Sequence, residues 1–307
     1  MKLKFIFLFI LLSHFGYSQE LTYTSEEVSI NELIDGTLLT PKNVLKPNLV
    51  IIIAGSGPTD RDGNQNFLKS NTLKKLAIGL TNNNIATFRY DKRIVKQIRK
   101  GNVDNNMLFN DFVTDAISVL YYFKNKEAYN KIYIAGHSQG SLVGILAAKN
   151  NADGFISLSG AGQSIDKVII EQITKTAPMF TADANRVFSI LKEGKTTDDF
   201  PPALASIFDK SVQPFIANWM QYNPQDEIKK LGMPILIING TKDLQVSVEE
   251  ANLLKEAVPK ASLVIIEKMN HILVPIEGDD LENSKSYNEA FRKLSPELFE
   301  AIAAFVK

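Results

Sequence analysis

The sequence predicts an α/β protein built on a doubly wound, mostly parallel sheet. Short continuous runs of Val, Ile and Leu recur along the chain, separated by segments of helical length. Such runs are typical of parallel strands buried on both faces. With 307 residues, 45% of them hydrophobic, the chain can bury a sizeable core. One long interval between two of the runs predicts an inserted helical cap.

The predicted elements follow one another in a regular order. Two short strands, 21–30 and 32–40, come first. Each of the next three buried runs is followed by a helix: 49–53 and 67–81, 85–90 and 107–125, 131–135 and 138–150. Three further runs, 155–158, 234–239 and 262–267, precede a closing helix over 286–306. The basic, polar segment 91–106 is predicted to be a solvated loop.

The interval between Ser159 and Pro234 is about 70 residues, far longer than the usual connection in an α/β unit. We expect the cap at about 163–225, over the carboxyl ends of the strands, where ligands bind in such sheets. The alternative is that its aromatic residues only pack the insertion onto the main domain. The bulky apolar residues concerned are Met179, Phe180, Phe188, Phe208, Phe215, Trp219 and Tyr222.

The first 18 residues have the layout of a secretory signal peptide. Lys2 and Lys4 precede an apolar run over 5–12, and the segment ends with the small residues Gly16 and Ser18. A membrane anchor is the alternative, but the run is far shorter than the roughly 20 residues that span a bilayer. We expect cleavage after Ser18, a single mature domain over 19–307, and a periplasmic or secreted location without stable membrane insertion.

Composition excludes several classes of function. Basic and acidic side chains number 34 each, so the charge balance does not favour a nucleic-acid partner. The chain has no cysteine, which rules out disulfides, a thiol nucleophile and cysteine metal sites. Neither charge nor motif fixes an oligomeric state.

The most informative motif is Gly136, His137, Ser138, Gln139, Gly140, where a buried strand meets a helix of small residues. G-x-S-x-G in this context is typical of a nucleophilic serine on a sharp turn. Glycine suits the outer positions because a Cβ there would clash with nearby backbone. The motif alone arises by chance in many proteins; its flanking strand and helix favour Ser138 as a nucleophile.

A nucleophilic serine needs a base within hydrogen-bond reach, and the chain has three histidines. His14 falls in the predicted signal peptide. The side chain of His137 is expected to point away from the hydroxyl of Ser138. The predicted base is therefore His271, in the loop after the last strand.

The base needs a carboxylate to hold one tautomer and to balance its developing charge. Asp243 follows the strand at 234–239, so its loop should emerge at the same edge of the sheet as His271. The alternative is a turn aspartate without a catalytic task. We expect Ser138, His271 and Asp243 to act together.

An acyl-transfer site also needs hydrogen-bond donors for the oxyanion. One should be the backbone N–H of Gln139, directly after the nucleophile. The other should come from the loop after the first buried strand, with Ser56 as the expected residue and Gly57 as the alternative. A phosphate loop is disfavoured there, because the run lacks the Gly-Lys-Ser/Thr ending of nucleotide sites.

The sequence resembles the α/β-hydrolase superfamily, and within it the bacterial carboxylesterases of the serine aminopeptidase-like branch. The resemblance includes the order Ser138, Asp243, His271 along the chain and covers most of the mature chain. The motifs are GSGPTDRDGN (55–64), FRYDKR (88–93), GAGQSIDKVIIEQ (160–172) and GTKDLQV (240–246). The resemblance implies an α/β-hydrolase fold with a helical cap, an acyl-enzyme mechanism without metal or organic cofactor, and a small-molecule ester as substrate.

Two positions depart from the pattern of that family. Ala54 stands where a histidine usually precedes the glycine, and 94–97 replaces a glycine-rich continuation. The first departure could reshape the oxyanion loop, whereas the second should alter only a surface turn. Neither removes a catalytic group.

Two other functions remain open at this point. A peptidase or amidase could use the same triad, and an aminopeptidase should place a carboxylate in the cap to bind the free amine of its substrate. A binding protein that has lost catalysis is disfavoured, because every triad member is present. The cap carboxylates are Asp166, Glu171, Asp183, Glu193, Asp198, Asp199 and Asp209.

Overall fold

The computed structural model describes residues 22–306. The predicted signal peptide lies outside these residues. Within them, the strands are β1 (Tyr23–Ser29), β2 (Asp35–Pro41), β3 (Leu49–Ile53), β4 (Ala86–Tyr90), β5 (Ile132–His137), β6 (Gly154–Leu158), β7 (Ile235–Gly240) and β8 (Ser262–Ile266). The helices are α1 (Thr72–Asn82), α2 (Arg93–Lys100), α3 (Phe109–Lys124), α4 (Gln139–Ala148), α5 (Ile165–Thr176), α6 (Thr181–Lys192), α7 (Ala205–Phe208), α8 (Gln213–Trp219), α9 (Pro224–Ile228), α10 (Val248–Ala257), α11 (Asp280–Ser286) and α12 (Pro296–Phe305).

The strands form one sheet in the order β1-β2-β4-β3-β5-β6-β7-β8. β1 and β2, and β2 and β4, pair antiparallel, while all other neighbours are parallel. The parallel strands β3 to β7 are buried along almost their whole length, which explains their mainly apolar sequences; β4 is the exception, because it also buries Thr87 and Arg89. The predicted doubly wound, mostly parallel α/β architecture is confirmed.

Two hydrophobic clusters cover the two faces of this sheet. One packs α3 and α4 on the first face, around Phe88, Phe123 and Phe155. The other packs α1 and α12 on the second face, around Leu76 and Ile302. β5 therefore lies in the middle of a sheet that is covered by hydrophobic packing on both faces, which holds its carboxyl end in place.

The chain between β6 and β7 forms α5 to α9. This insertion has a hydrophobic cluster of its own, which includes Val187, Phe188 and Phe208. It docks on the main domain through Trp219, whose ring stacks on that of Phe109 at 5.4 Å between centroids.

Three predicted elements were wrong in part. The predicted loop 91–106 contains α2; three of its four basic side chains form ion pairs, such as that of Lys96 with Asp35, and Val95 is buried. The helix predicted over 67–81 begins only at Thr72. The predicted closing helix 286–306 is broken, because Pro296 starts α12 and favours an extended residue before it.

Among residues 22–306, no helix combines the length and the apolar character needed to cross a bilayer. The same residues contain no group of three or more His, Cys, Asp or Glu side chains arranged to hold a metal ion.

Candidate active site

Ser138 lies on the sharp turn between β5 and α4. Its backbone has φ 55° and ψ −123°, which a residue with a side chain rarely adopts. Its N–H donates to the carbonyl oxygen of Leu158 (2.9 Å), and its own carbonyl accepts from the N–H of Ser141 (2.8 Å). The neighbouring strand and the first turn of α4 thus hold the strained residue at the edge of the sheet.

The two glycines of the serine motif are required by close backbone contacts. A Cβ on Gly136 would lie 2.1 Å from the carbonyl oxygen of Gly140. A Cβ on Gly140 would lie 2.5 Å from the carbonyl oxygen of Ile53, at the end of β3. The turn can therefore close against the next strand only if both side chains are absent.

The loop after β3 approaches the serine directly. A Cβ on Gly55 would lie 3.2 Å from Cβ of Ser138. Ser56 lines both cavities beside Ser138, whereas Gly57 lines neither. The carbonyl of Ser56 is held by Nε2 of Gln65 at 2.9 Å. The geometry thus favours Ser56 over Gly57 for a contact with a bound ligand.

Gln139 is the first residue of α4, immediately after the turn. The first N–H groups of a helix have no partner within the helix and carry the positive end of its dipole. Gln139 also lines a cavity together with Ser138 and Ser56. Negative charge that develops beside Ser138 would therefore meet donors from two separate loops.

His271 and Asp243 form a buried pair. Nδ1 of His271 lies 2.8 Å from Oδ2 of Asp243, while Oδ1 of Asp243 accepts from the N–H groups of Gln245 and Val246, each at 2.9 Å. Burial opposes the charge on Asp243, but the imidazole and these hydrogen bonds lower the pKa of the carboxyl below its ordinary value. The ionised carboxylate can only accept, so Nδ1 must donate and Nε2 is left free to accept.

The loop that carries His271 is tied to the loop that carries Asp243. Nδ2 of Asn270 donates to Oδ1 of Asn283 and to Oγ of Ser286, both at 2.9 Å. Nδ2 of Asn283 donates in turn to the carbonyl oxygen of Lys242 at 2.7 Å. α11 thus links the residue before His271 to the residue before Asp243, which fixes the separation of the pair.

Sequence reasoning missed a role for His137. Its ring lies beside that of His271, with 4.9 Å between centroids, and its Nε2 donates to the backbone oxygen of His271 at 2.7 Å. Burial, followed by the neighbouring imidazole, lowers the pKa of His137 to about 4. His137 is therefore neutral at ordinary pH and anchors the backbone of His271. Its position next to Ser138 was the only signal in the sequence.

Two cavities meet at Ser138. The first, of about 260 Å³, is shared by Ser138 and His271; most of its lining residues are polar, although more than half of its wall area is apolar. The polar residues farther from the serine are Thr59, Gln65, Ser70, Thr72, Gln245 and Tyr287. The second, of about 230 Å³, runs beneath the insertion and does not reach His271. Its wall is mainly apolar, formed by Leu142, Ala161, Ile165, Val168, Ile169, Trp219, Pro224 and Val246, and it also includes Gln139, Gln163, Gln172 and Gln245.

The carboxylates of the insertion do not contribute to this site. None of the acidic residues between 160 and 225, all of them within the described part of the chain, lines either cavity. Asp166 is buried instead in an ion pair with Lys192, at 2.6 Å.

The two motifs that follow β3 and β4 interlock behind the site. Asp91 accepts from the backbone N–H of Arg61 (2.8 Å) and from its Nη2 (2.9 Å), and Nε of Arg89 donates to Asp62 (3.0 Å). Next to them, the ammonium of Lys92 is buried. These ion pairs explain how Arg89 and Asp91 of the second motif can be buried, a role that the sequence motifs themselves do not reveal.

No model of a known protein family matches the chain. Over 266 residues it is 23% identical to the esterase EstD of Thermotoga maritima, covering 84% of this chain and 62% of that protein. The chain thus spans less than two thirds of the length of this curated relative.

Solved structures share the architecture over nearly the whole chain. Est1E from Butyrivibrio proteoclasticus is 20% identical with a TM-score of 0.57, covering 91% of this chain and 99% of its own. The Pyrococcus furiosus esterase Pf2001 is 15% identical with a TM-score of 0.54, covering 92% and 90%. A dienelactone hydrolase from Anabaena variabilis is 13% identical with a TM-score of 0.51, covering 93% and 98%.

These likenesses, together with the sheet order and the serine turn, confirm the fold that the motifs predicted. The chain has the α/β-hydrolase fold.

Proposed function

We propose that the protein is a serine hydrolase that cleaves small carboxylic esters through an acyl-enzyme intermediate. The observation that carries the proposal is that Ser138 and His271 line one cavity, while Asp243 holds the far side of the imidazole. The esterase relatives support the same reaction class.

In the proposed reaction, Oγ of Ser138 attacks the ester carbonyl while Nε2 of His271 takes its proton. The tetrahedral oxyanion accepts from the backbone N–H groups of Gln139 and Ser56. The imidazolium, stabilised by Asp243, then protonates the departing alcohol. Water activated by His271 hydrolyses the acyl-serine, so the cycle uses no metal and no organic cofactor.

The two cavities suggest which part of the ester lies where. His271 must reach the leaving oxygen, and it borders only the first, more polar cavity, so we assign the alcohol to that side. The acyl chain then occupies the second cavity, whose volume of about 230 Å³ corresponds to seven or eight groups of roughly 30 Å³ each. We therefore propose esters of short apolar acids with polar alcohols. Est1E has been solved with ferulic acid bound, which supports a small ester as the substrate class.

The peptidase alternative receives no support from the cavity walls. A free amino terminus held in an apolar site needs a carboxylate partner, and among the described residues no Asp or Glu lines either cavity. Hydrolysis of aminoacyl anilides is thus the less favoured reaction.

The test compares p-nitrophenyl esters of graded acyl length with aminoacyl p-nitroanilides. The wild type should turn over the esters and should be labelled by a fluorophosphonate, whereas Ser138→Ala should do neither. Ser118→Ala, which alters a half-buried serine on α3 whose hydroxyl donates only to the backbone of its own helix, is the matched control and should behave like the wild type. Turnover of anilides alone would favour a peptidase, and the absence of both turnover and labelling would favour a binding protein.

We also propose that the protein is exported after cleavage behind Ser18. The basic residues Lys2 and Lys4 before a short apolar run support this. Amino-terminal sequencing of the protein recovered from the periplasm or the medium tests the proposal. A full-length protein that stays in the cytoplasm would refute it.

A further inference from the structure

Lys92 is buried directly behind the serine turn. It follows β4 and is only 5% exposed. Its Nζ donates to the carbonyl oxygen of Gly55 at 2.9 Å and to Oε1 of Gln139 at 2.8 Å, and lies 4.2 Å from the ring centroid of Phe112. Within residues 22–306 the ammonium makes no ion pair with a carboxylate. Burying a lysine whose only partners are neutral acceptors costs stability. The burial of Lys92 therefore needs an explanation other than charge pairing.

The bond to Gly55 orients the next peptide group. No peptide bond of the described chain is cis, and in a trans peptide the C=O and the N–H point in opposite directions. The carbonyl of Gly55 points at Lys92, so the N–H of Ser56 points away from Lys92. A lysine on one side of the loop thereby aims a donor at the other side.

The bond to Gln139 reaches the second donor residue. The backbone N–H of Gln139 starts α4, while its side-chain oxygen turns back to Lys92. A single nitrogen atom therefore joins the two loops whose N–H groups we assign to the oxyanion. The carboxyl ends of β3, β4 and β5 meet at this one contact.

The backbone on either side of Lys92 is itself fixed. Asp91 is held by Arg61 and by Nη1 of Arg99 at 2.7 Å. Arg93 is held by Asp115 through bonds of 2.8 and 2.7 Å. Ion pairs before and after Lys92 thus set the position from which its side chain reaches the loops.

We propose that Lys92 is a positioning residue that holds the N–H groups of Ser56 and Gln139 at the separation needed to bind the oxyanion. The inference rests on the proposed function. Lys92 does not line either cavity at Ser138, so it acts through the two loops and not on the substrate.

Protonation is not required for this role. Burial lowers the pKa of Lys92 to about 7. Both the ammonium and the neutral amine carry at least two N–H donors, enough for Gly55 and Gln139. The positioning contacts therefore persist on both sides of neutral pH.

The test is Lys92→Met, which keeps an unbranched apolar stem and removes the donors. Because complete loss of one oxyanion donor costs about 10²- to 10³-fold in kcat, displacing donors should lower kcat by about 10- to 100-fold. KM should stay within about threefold, since ground-state binding is untouched. The affinity for a trifluoromethyl ketone, whose adduct with Ser138 carries an oxyanion, should fall by the same factor as kcat/KM.

Lys75→Met is the matched control. Lys75 is also partly buried and donates to a backbone carbonyl, that of Arg292, but it lies on α1 away from the site. It should leave kcat and the affinity for the ketone unchanged. A folded Lys92→Met protein with the kinetics of the control would overturn the inference.

A second variant decides the matter if Lys92→Met does not fold. Gln139→Met removes the acceptor of Lys92 and keeps the backbone N–H of residue 139. It should lower kcat and the rate of fluorophosphonate labelling with KM little changed, and unchanged rates would refute the role. Labelling also separates the two proposals: a wild type that is not labelled refutes the proposed function, whereas a labelled wild type with equally fast variants refutes only the role of Lys92.

Discussion

Oδ2 of Asp243 lies 2.8 Å from Nδ1 of His271, and the other carboxylate oxygen is held by two backbone N–H groups. The carboxylate is thus fixed from both sides, and so is the tautomer of the histidine. An amide in place of this carboxylate would remove the fixed orientation of the histidine without changing the shape of the site.

Asp243→Asn should lower kcat strongly while leaving KM almost unchanged. An amide can offer its NH₂ group to Nδ1 and stabilise the wrong tautomer, and it brings no charge to balance an imidazolium. The expected loss in kcat is about 10³- to 10⁴-fold, measured with p-nitrophenyl butyrate. Asp198→Asn, at an exposed ion pair with Lys210, should not change kcat. An equal loss in both variants would contradict the assigned role of Asp243.

His137 should make the folded state sensitive to acid. Its pKa is about 4 in the folded protein, against an unfolded value of 6.5. As the pH falls below 6.5 the unfolded chain binds a proton first, so stability is present at higher pH and is lost on acidification. Between pH 7 and pH 5 this one group should remove about 2 kcal/mol from the free energy of unfolding.

Urea denaturation of the wild type and of His137→Gln at both pH values tests this. The amide can still donate to the backbone of His271 but does not titrate. The variant should therefore lose about 2 kcal/mol less than the wild type on acidification. Equal losses would show that His137 takes up its proton normally in the folded protein.

Gly136→Ala should destabilise the protein, because the new Cβ would lie 2.1 Å from a backbone oxygen that cannot move independently of α4. We expect a loss of about 1 to 3 kcal/mol in the free energy of unfolding, as for other overpacked sites. Gly232→Ala is the matched control, because a Cβ there meets nothing within 4 Å. Thermal denaturation of both variants measures the difference, and similar midpoints would contradict the packing argument.

Val168→Phe should shorten the acyl chain that the protein accepts. Val168 lies on α5 in the wall of the second cavity. A larger side chain there should lower kcat/KM for p-nitrophenyl hexanoate by about 10-fold or more, since one methylene in an apolar pocket is worth about 10- to 200-fold. The acetate ester should be nearly unaffected. Val103→Phe, at an exposed position, should keep the wild-type ratio of hexanoate to acetate hydrolysis. If Val168→Phe instead lowered the rate with the acetate ester as well, the acyl group would be assigned to the other cavity.

The buried parallel strands were predictable because a strand that is dry on both faces needs an unbroken apolar run. β3 begins and ends at the residues predicted, 49–53. α2 was not predictable from composition, because its basic residues are matched by acids distant in the sequence, such as Asp35 and Asp115. The sequence contains the partners but does not say that they meet.

The same limit applies to the candidate site. The serine turn could be inferred, since its glycines and its flanking strand are local features. The roles of His137 and Lys92 could not, because each acts on a backbone carbonyl, and every residue has one. A long-range contact to a backbone carbonyl therefore cannot be read from the type of residue that accepts it.

The insertion leaves the sheet after β6 and returns at β7, and these two strands are neighbours, with Phe155 paired to Ile235. Its helices have a hydrophobic cluster of their own. Such an insertion can be lengthened, shortened or replaced without moving the strands that carry Ser138 and Asp243. Substrate choice and bond-breaking chemistry can therefore diverge separately in descendants of this chain, since they are encoded in different stretches of it.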